Sequence, residues 1–147
     1  MEKEVVISIK GMQKYEDAPP DAIELVTEGK LSRSGDIYII SYQETELTGL
    51  DGALTTIQVE GEQVTMMRMG EFNAQMVFQE GRRHLSMYNT PYGAMTVGVN
   101  THHLLVELDD QGGDIEIDYA IEVDHAMAGR NVFQINIKEA DSVSLKQ

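Results

Sequence analysis

The chain has 147 residues and a mass of 16.4 kDa, which is the size of one domain. Its hydrophobic content of 41% excludes a disordered tail, and it has no run of about 18 apolar residues that could cross a membrane as a helix. Asp and Glu outnumber Lys and Arg by 25 to 11, for a formal charge of −14. This balance argues against binding to nucleic acid or to an anionic membrane, because both need clustered positive charge.

Cysteine is absent, which excludes thiol catalysis, disulfide bonds and cysteine-ligated metals. Residues 1–9 have mixed charge, a very short apolar stretch and no small-residue cleavage site, so they do not resemble a secretory signal. We therefore expect a cytoplasmic protein.

Hydrophobic residues recur with a period of two along the chain, which is typical of β-strands. In residues 115–123 the apolar side chains share one face and acidic side chains share the other, as in a half-buried strand. Residues 131–139 repeat this pattern, whereas residues 37–42 are apolar on both faces. We expect strands near residues 4–12, 23–32, 36–47, 53–60, 64–69, 73–80, 82–89, 94–107, 115–123 and 131–139.

Short turn signals separate the predicted strands. Gly61-Glu62 and Gly112-Gly113 suit tight hairpins, and Pro19-Pro20 is expected in a loop within a long irregular link over residues 13–22. A short helical turn fits residues 21–25 or 124–129, and nothing longer. Nine or ten strands with short connections favour an antiparallel barrel, because closure of the sheet leaves no edge strand with unpaired backbone groups. A β-sandwich is the alternative, but it needs more long crossing connections.

The chain resembles the YwiB-like bacterial domain-of-unknown-function family in an ordered set of short segments. These segments are residues 38–44 (YIISYQE), Gly49, Thr55-Thr56, residues 68–70 (RMG), 76–78 (MVF), 88–93 (YNTPYG), 113–115 (GDI) and Tyr119. The resemblance implies a calycin-like barrel, the lipocalin-like architecture shared with fatty-acid-binding proteins. It implies no established activity and transfers no catalytic residues. We expect one all-β domain over residues 1–147, an antiparallel barrel of about eight to ten strands with little or no helix.

No catalytic constellation is evident in the sequence. Histidine occurs at residues 84, 102, 103 and 125, but no Gly-x-Ser-x-Gly elbow accompanies them. Glu44 and Glu46 share a strand face, which is also how a solvated outer face looks. No phosphate-binding glycine loop is present. We therefore predict that the protein is not an enzyme.

The sequence also predicts no metal site and no cofactor. His102 and His103 would point to opposite faces of a strand unless a bulge intervenes. Asp109, Asp110 and Asp114 flank a Gly-Gly turn without the spacing of a calcium-binding loop. The methionines of residues 66–69 suit packing better than copper ligation.

Arg68 is the most suggestive residue of the sequence. It is in register with Val64 and Met66, so its guanidinium is predicted to share their apolar face. A buried guanidinium needs an anionic or hydrogen-bonding partner. Barrels that bind fatty acids commonly bind the ligand carboxylate through an interior Arg and Tyr hydroxyls, and the arrangement here looks similar. The candidate companions are Tyr42, Tyr88 and Tyr92; a salt bridge to a glutamate on a neighbouring strand, or an exposed guanidinium over a packed stem, is the alternative.

Three functions follow from these observations. The first is non-catalytic binding of a small apolar or apolar-anionic ligand inside the barrel, in which case Arg68→Met should abolish binding and leave the fold intact. The second is a filled barrel that acts as a protein-interaction or homodimerisation module, suggested by strands that are apolar on both faces. The third, a hydrolytic enzyme, has the least support.

Overall fold

In the part of the chain that the structure describes, ten antiparallel strands form one sheet. The computed structural model describes residues 1–15, 18–44, 52–70, 74–90, 93–124 and 126–140, without the side chains of residues 14, 15, 18–21 and 87–90. The strands are β1 (Glu2–Tyr15), β2 (Ala18–Ser34), β3 (Ile37–Gln43), β4 (Leu54–Glu60), β5 (Gln63–Met69), β6 (Ala74–Gln79), β7 (Arg83–Thr90), β8 (Gly93–Asp109), β9 (Gly112–Val123) and β10 (Ala126–Glu139). The sequence predicted a strand at each of these ten places.

The sheet has the strand order β6-β5-β4-β3-β2-β1-β10-β9-β8-β7. The first and last strands pair in its middle, and its two ends, β6 and β7, are consecutive in the chain. Their connection is held to β8 by backbone hydrogen bonds from Gly81 N to Thr101 O (2.9 Å) and from Thr101 N to Arg82 O (3.2 Å). The sheet therefore curls into a nearly closed antiparallel barrel, as predicted.

The barrel interior is packed by the alternate residues of each strand. Burial is complete or nearly so for Ile115, Ile117 and Tyr119 of β9, as the alternation in that segment predicted. The Tyr119 ring meets the ring of Phe78 edge-on at 4.8 Å between centroids, and it lies 5.7 Å from that of Phe133. The first contact joins β6 to β9, and the second joins the neighbouring strands β9 and β10, so both belong to one continuous apolar core.

The outer face carries mostly polar side chains that pair across strands. Arg83 binds Glu122 at 2.6 Å and Arg130 binds Asp118 at 3.0 Å on this face, and at one end of the barrel Arg33 binds Asp110 of the β8–β9 turn at 2.8 Å. Each exposed pair stabilises the fold only slightly, by roughly 0 to 1 kcal/mol. Asp118 and Glu122 belong to β9, so their pairs agree with the prediction that the outer face of β9 is exposed to solvent. The part of the chain that the structure describes contains no helix able to span a membrane.

Several predicted boundaries were wrong. Pro19-Pro20 and residues 21–25 lie in β2, so the predicted link over residues 13–22 and the first helical turn are not formed. The pairing of β1 with β2 is irregular between Gln13 and Tyr15, and such a bulge accommodates prolines that cannot donate to the ladder. The other predicted helical turn, over residues 124–129, is also wrong for the residues described, because residues 126–129 belong to β10 and residue 124 lies in the turn before it. Residue 125 lies outside the described residues.

The Gly112-Gly113 hairpin is also displaced from its predicted position. The turn lies at Asp110 and Gln111, and both glycines already belong to β9. Gly113 has a φ of 144°, and a Cβ there would collide with the backbone oxygen of Glu107. Glycine is needed there because the neighbouring strand approaches too closely for any side chain.

Candidate functional site

An interior cavity of about 290 Å³ lies between opposite walls of the barrel. Most of its lining is apolar, and the complete set is Ile9, Gly11, Gln13, Ile23, Leu25, Tyr42, Glu44, Met66, Arg68, Phe133 and Ile135. Leu25 is 7% exposed, whereas Ile23, the previous inward-facing residue of β2, is 54% exposed. The exposure of Ile23 marks the side on which the cavity opens to solvent. The volume is near the lower end of the range for ligand pockets, about 300 to 1,000 Å³.

One wall of the cavity carries a row of polar residues across three strands. Tyr42 of β3 pairs with Thr55 of β4, and Thr55 pairs with Arg68 of β5. Directly opposed side chains in an antiparallel sheet lie on the same face and touch. The register therefore brings the three residues together inside the barrel, although the first and the last are 26 positions apart in sequence.

Glu44 completes this cluster just beyond the end of β3. Its backbone N–H donates to Ala53 O at 2.8 Å, which continues the pairing of β3 with β4 by one step. Glu44 is two residues after Tyr42, so its side chain also points inward, and it is only 3% exposed. We call Tyr42, Glu44, Thr55 and Arg68 the polar cluster.

A chain of hydrogen bonds links three members of the polar cluster, Arg68, Thr55 and Glu44. Arg68 Nε donates to Thr55 Oγ1 at 3.3 Å, and Thr55 Oγ1 donates to Glu44 Oε1 at 2.5 Å. Arg68 Nη2 lies 3.6 Å from the same Glu44 oxygen, within ion-pair distance. The guanidinium thus balances a carboxylate that burial would otherwise make costly.

The second carboxylate oxygen of Glu44 has no such partner. Oε2 is buried and accepts no hydrogen bond within the described part of the chain. Glu44 lines the cavity, so this acceptor belongs to the cavity wall, where it has almost no water-accessible surface of its own and the phenol of Tyr42 lies beside the carboxylate. Buried polar atoms in proteins are nearly always hydrogen-bonded, so an unpaired one suggests a group that completes the site.

The hydroxyl of Tyr42 stays protonated at all ordinary pH values. Burial raises the pKa of Tyr42 above its usual value, the charge of Glu44 and a side-chain hydrogen bond to it raise the pKa further, and Arg68 and Thr55 partly oppose these effects. The phenol is therefore a neutral hydrogen-bond donor beside the carboxylate.

The structure brings together two of the four site residues that the sequence singled out. Arg68 lies on the inward face with Val64 and Met66, its side chain 28% exposed, and Tyr42 is two strands away. The Tyr88 side chain and the whole of Tyr92 lie outside the described residues. The alternative partner of Arg68 is a glutamate as predicted, but Glu44 follows β3, two strands from Arg68, and does not lie on a neighbouring strand.

Sequence reasoning missed Thr55 and placed Glu44 wrongly on a solvated outer face with Glu46. Glu44 continues the alternate set of Tyr38, Ile40 and Tyr42, so the period of two was the signal that could have placed it inside. Thr55 had no comparable signal. Glu46 lies outside the described residues.

The remaining candidates for chemistry do not converge. His102 and His103 are both exposed at a bulge in β8, and His103 Nδ1 contacts Glu80 at 3.2 Å. Asp110 binds Arg33, whereas Asp114 accepts a hydrogen bond from Asn136. No group of three or more His, Asp or Glu residues able to hold a metal ion occurs in the described ranges. His125 lies outside the described residues.

The methionines divide between the two faces of the sheet. Met66 and Met76 are opposed in neighbouring strands and buried, whereas Met69 is 59% exposed. Met66 and Met76 therefore pack in the core, whereas Met69 does not.

A second, larger depression of about 630 Å³ lies on the outer surface of β2, β1, β10, β9 and β8. Its lining includes charged outer-face residues such as Lys10, Glu24, Glu107 and Glu116. We place the candidate site in the smaller interior cavity, because that cavity combines an apolar wall with a buried polar cluster.

The fold and this site define an all-β barrel with a partly polar interior cavity. The chain belongs to the family described as "Domain of unknown function (DUF1934)", whose model matches residues 7–135. The crystal structure of the ywiB protein from Bacillus subtilis is similar, with a TM-score of 0.78 and 19% sequence identity over 95% of this chain and 93% of that one. This likeness confirms the YwiB-like resemblance and the barrel fold. A search of curated proteins gave no match.

Proposed function

We propose that the protein binds a small, largely apolar molecule in its interior cavity without transforming it. The polar cluster holds the polar end of that molecule, and Leu25, Phe133 and Ile135 contact its apolar body. The observation that carries the proposal is a mostly apolar cavity with a buried polar cluster in its wall, in which Glu44 Oε2 accepts no hydrogen bond from the described residues. Apolar cavities with a few polar groups are the usual form of small-molecule sites.

The absence of catalysis is part of this proposal. Within the described residues, the charged groups of the cavity are Glu44 and Arg68, and they are engaged with each other rather than poised around a reacting atom. General acid–base chemistry needs a group that exchanges a proton near neutral pH. The phenol of Tyr42 does not meet that need, because its pKa is raised. We also propose a cytoplasmic location, which suits a chain without cysteine.

Native mass spectrometry of protein purified gently from its own source tests the proposal. We expect a stoichiometric added mass that is lost on denaturation, and extraction then identifies the chemical class of the ligand. A bare monomer mass would contradict the proposal and favour a filled barrel. A doubled mass without a small molecule would favour homodimerisation, the alternative suggested by apolar residues on both faces of β3.

Blocking the cavity provides a second test with a matched control. Ile23→Trp places a large ring at the open side of the cavity, at a residue that is already 54% exposed. Val26→Trp places the same ring on the outer face of the same strand, at a residue that is 68% exposed. We expect the bound mass to be lost from the Ile23 variant and retained by the Val26 variant. Equal retention by both variants would place the ligand elsewhere.

A further inference from the structure

The charge balance of the polar cluster specifies the kind of polar group that the cavity accepts. We infer that the ligand carries an uncharged end that both donates and accepts hydrogen bonds, such as a primary amide, and not a free carboxylate. This inference rests on the proposed function, because it names the ligand class of the same cavity. It differs from the anionic end that Arg68 alone suggested.

Arg68 does not offer an uncompensated positive charge to a ligand. Its Nη2 lies 3.6 Å from Glu44 Oε1, and its Nε donates to Thr55, which donates to the same oxygen. The Glu44 side chain is 1% exposed, so water screens its charge poorly. A ligand carboxylate that approaches Arg68 therefore also approaches a buried carboxylate, and the repulsion offsets the attraction.

The unpaired oxygen of Glu44 favours a ligand that can donate a hydrogen bond. Oε2 is buried and accepts no hydrogen bond from the described residues, although the Tyr42 phenol lies beside the carboxylate, and an ionised carboxylate can only accept. An ionised ligand carboxylate has no hydrogen to donate, so it would leave Oε2 unpaired. An amide N–H supplies that hydrogen and carries no charge to repel either member of the Glu44–Arg68 pair.

A positively charged end fits the cluster less well than an amide. An ammonium group donates to Glu44 but is repelled by the guanidinium of Arg68, and it has no acceptor for the N–H groups of Arg68. The carbonyl oxygen of an amide accepts from the guanidinium while its N–H donates to Glu44. An uncharged donor–acceptor end is therefore the one that matches both members of the pair.

Three probes with the same apolar body separate these possibilities. Octanamide, octanoate and octylammonium are each titrated into the full-length protein at pH 7.5 by calorimetry. We expect octanamide to bind at least tenfold more tightly than either charged probe. Octanoate binding as tightly as octanamide, or more tightly, would overturn the inference while leaving the proposed function in place. Failure of all three to bind would overturn the proposed function itself.

Glu44→Gln identifies the source of the selectivity. This nearly isosteric change removes the negative charge and leaves Arg68 unbalanced, so we expect octanoate to gain at least tenfold in affinity relative to octanamide. Glu116→Gln, on the outer face of β9, is the matched control and should preserve the wild-type order. Thermal unfolding of each variant verifies that it is folded. Should the Glu44 variant not fold, the order of the three probes on the wild-type protein still decides the inference. An unchanged order in a folded Glu44 variant would contradict the role of its charge.

Discussion

Arg68 Nη2 lies 3.6 Å from Glu44 Oε1 inside the barrel, although 24 positions separate the two residues in sequence. The carboxylate is almost fully buried and the guanidinium is about one quarter exposed, at 1% and 28% of their side-chain surfaces. The ion pair therefore connects the end of β3 to β5 across β4. It also decides how the site responds to substitution, because neither charge can be removed without consequence for the other.

Arg68→Met should destabilise the protein as well as alter binding. The change leaves Glu44 buried without its counter-charge, so we expect the free energy of unfolding to fall by on the order of 3 kcal/mol. The expectation from sequence, that this variant keeps the fold intact, is therefore revised. Urea unfolding of Arg68→Met, Glu44→Leu and the double variant measures the coupling. We expect the double variant to recover much of the loss; strictly additive losses would show that the pair is not coupled.

Thr55→Val should weaken the polar cluster by removing its central hydroxyl. Thr55 is fully buried, and its Oγ1 both receives from Arg68 Nε and donates to Glu44 Oε1. Valine has nearly the same shape but leaves both partners without this bond, which should cost about 1 to 3 kcal/mol of unfolding free energy. Thr55→Ser keeps the hydroxyl and serves as the control. Chemical denaturation should find the serine variant more stable than the valine variant, and the reverse order would contradict the hydrogen-bond chain.

The raised pKa of Tyr42 predicts that the folded protein loses stability at alkaline pH. Burial raises its pKa in the folded protein, so above pH about 10 an unfolded chain loses the phenolic proton while the folded chain keeps it. The unfolded state then binds fewer protons, and the free energy of unfolding falls as pH rises, by at most about 1.4 kcal/mol per pH unit. The effect is absent below the unfolded pKa.

Melting temperatures of wild type and Tyr42→Phe between pH 8.5 and 11 measure this contribution. We expect a shallower alkaline decline in the variant, which has no phenol to titrate at this position. Tyr38 retains a raised pKa in both proteins, so the decline should not vanish. Parallel curves for the two proteins would contradict the prediction.

Gly29→Ala should disturb the barrel next to the polar cluster. Gly29 pairs with Tyr42, and a Cβ there would collide with the backbone oxygen of Ser41 and lie 2.6 Å from Ile7 Cδ1. Such overpacking costs about 1 to 3 kcal/mol, and a backbone collision places this variant at the upper end. Gly35→Ala is the control, because a Cβ there meets no atom within 4 Å and only the φ of 60° opposes alanine. Urea midpoints should fall further for the Gly29 variant.

The period of two in the sequence was sufficient to find every strand of the fold. It also placed Arg68 on the same face as Val64 and Met66, and that face is the interior of the barrel. Strand ends were less predictable: Gly112 and Gly113 lie inside β9 because neighbouring backbones approach them closely, a long-range contact that no local turn pattern contains. Pro19-Pro20 lies in β2 for a related reason, since an irregular register beside it tolerates missing donors.

The sequence by itself determined the faces of the strands, because successive side chains of an extended chain must point to opposite sides. Only the tertiary structure decided which inward residues meet. The register of β3, β4 and β5 places Tyr42, Thr55 and Arg68 in one row and brings Glu44 to Arg68, and the curl of the whole sheet leaves a cavity beside them. Register and curvature depend on all ten strands packing together, so no single segment encodes the site.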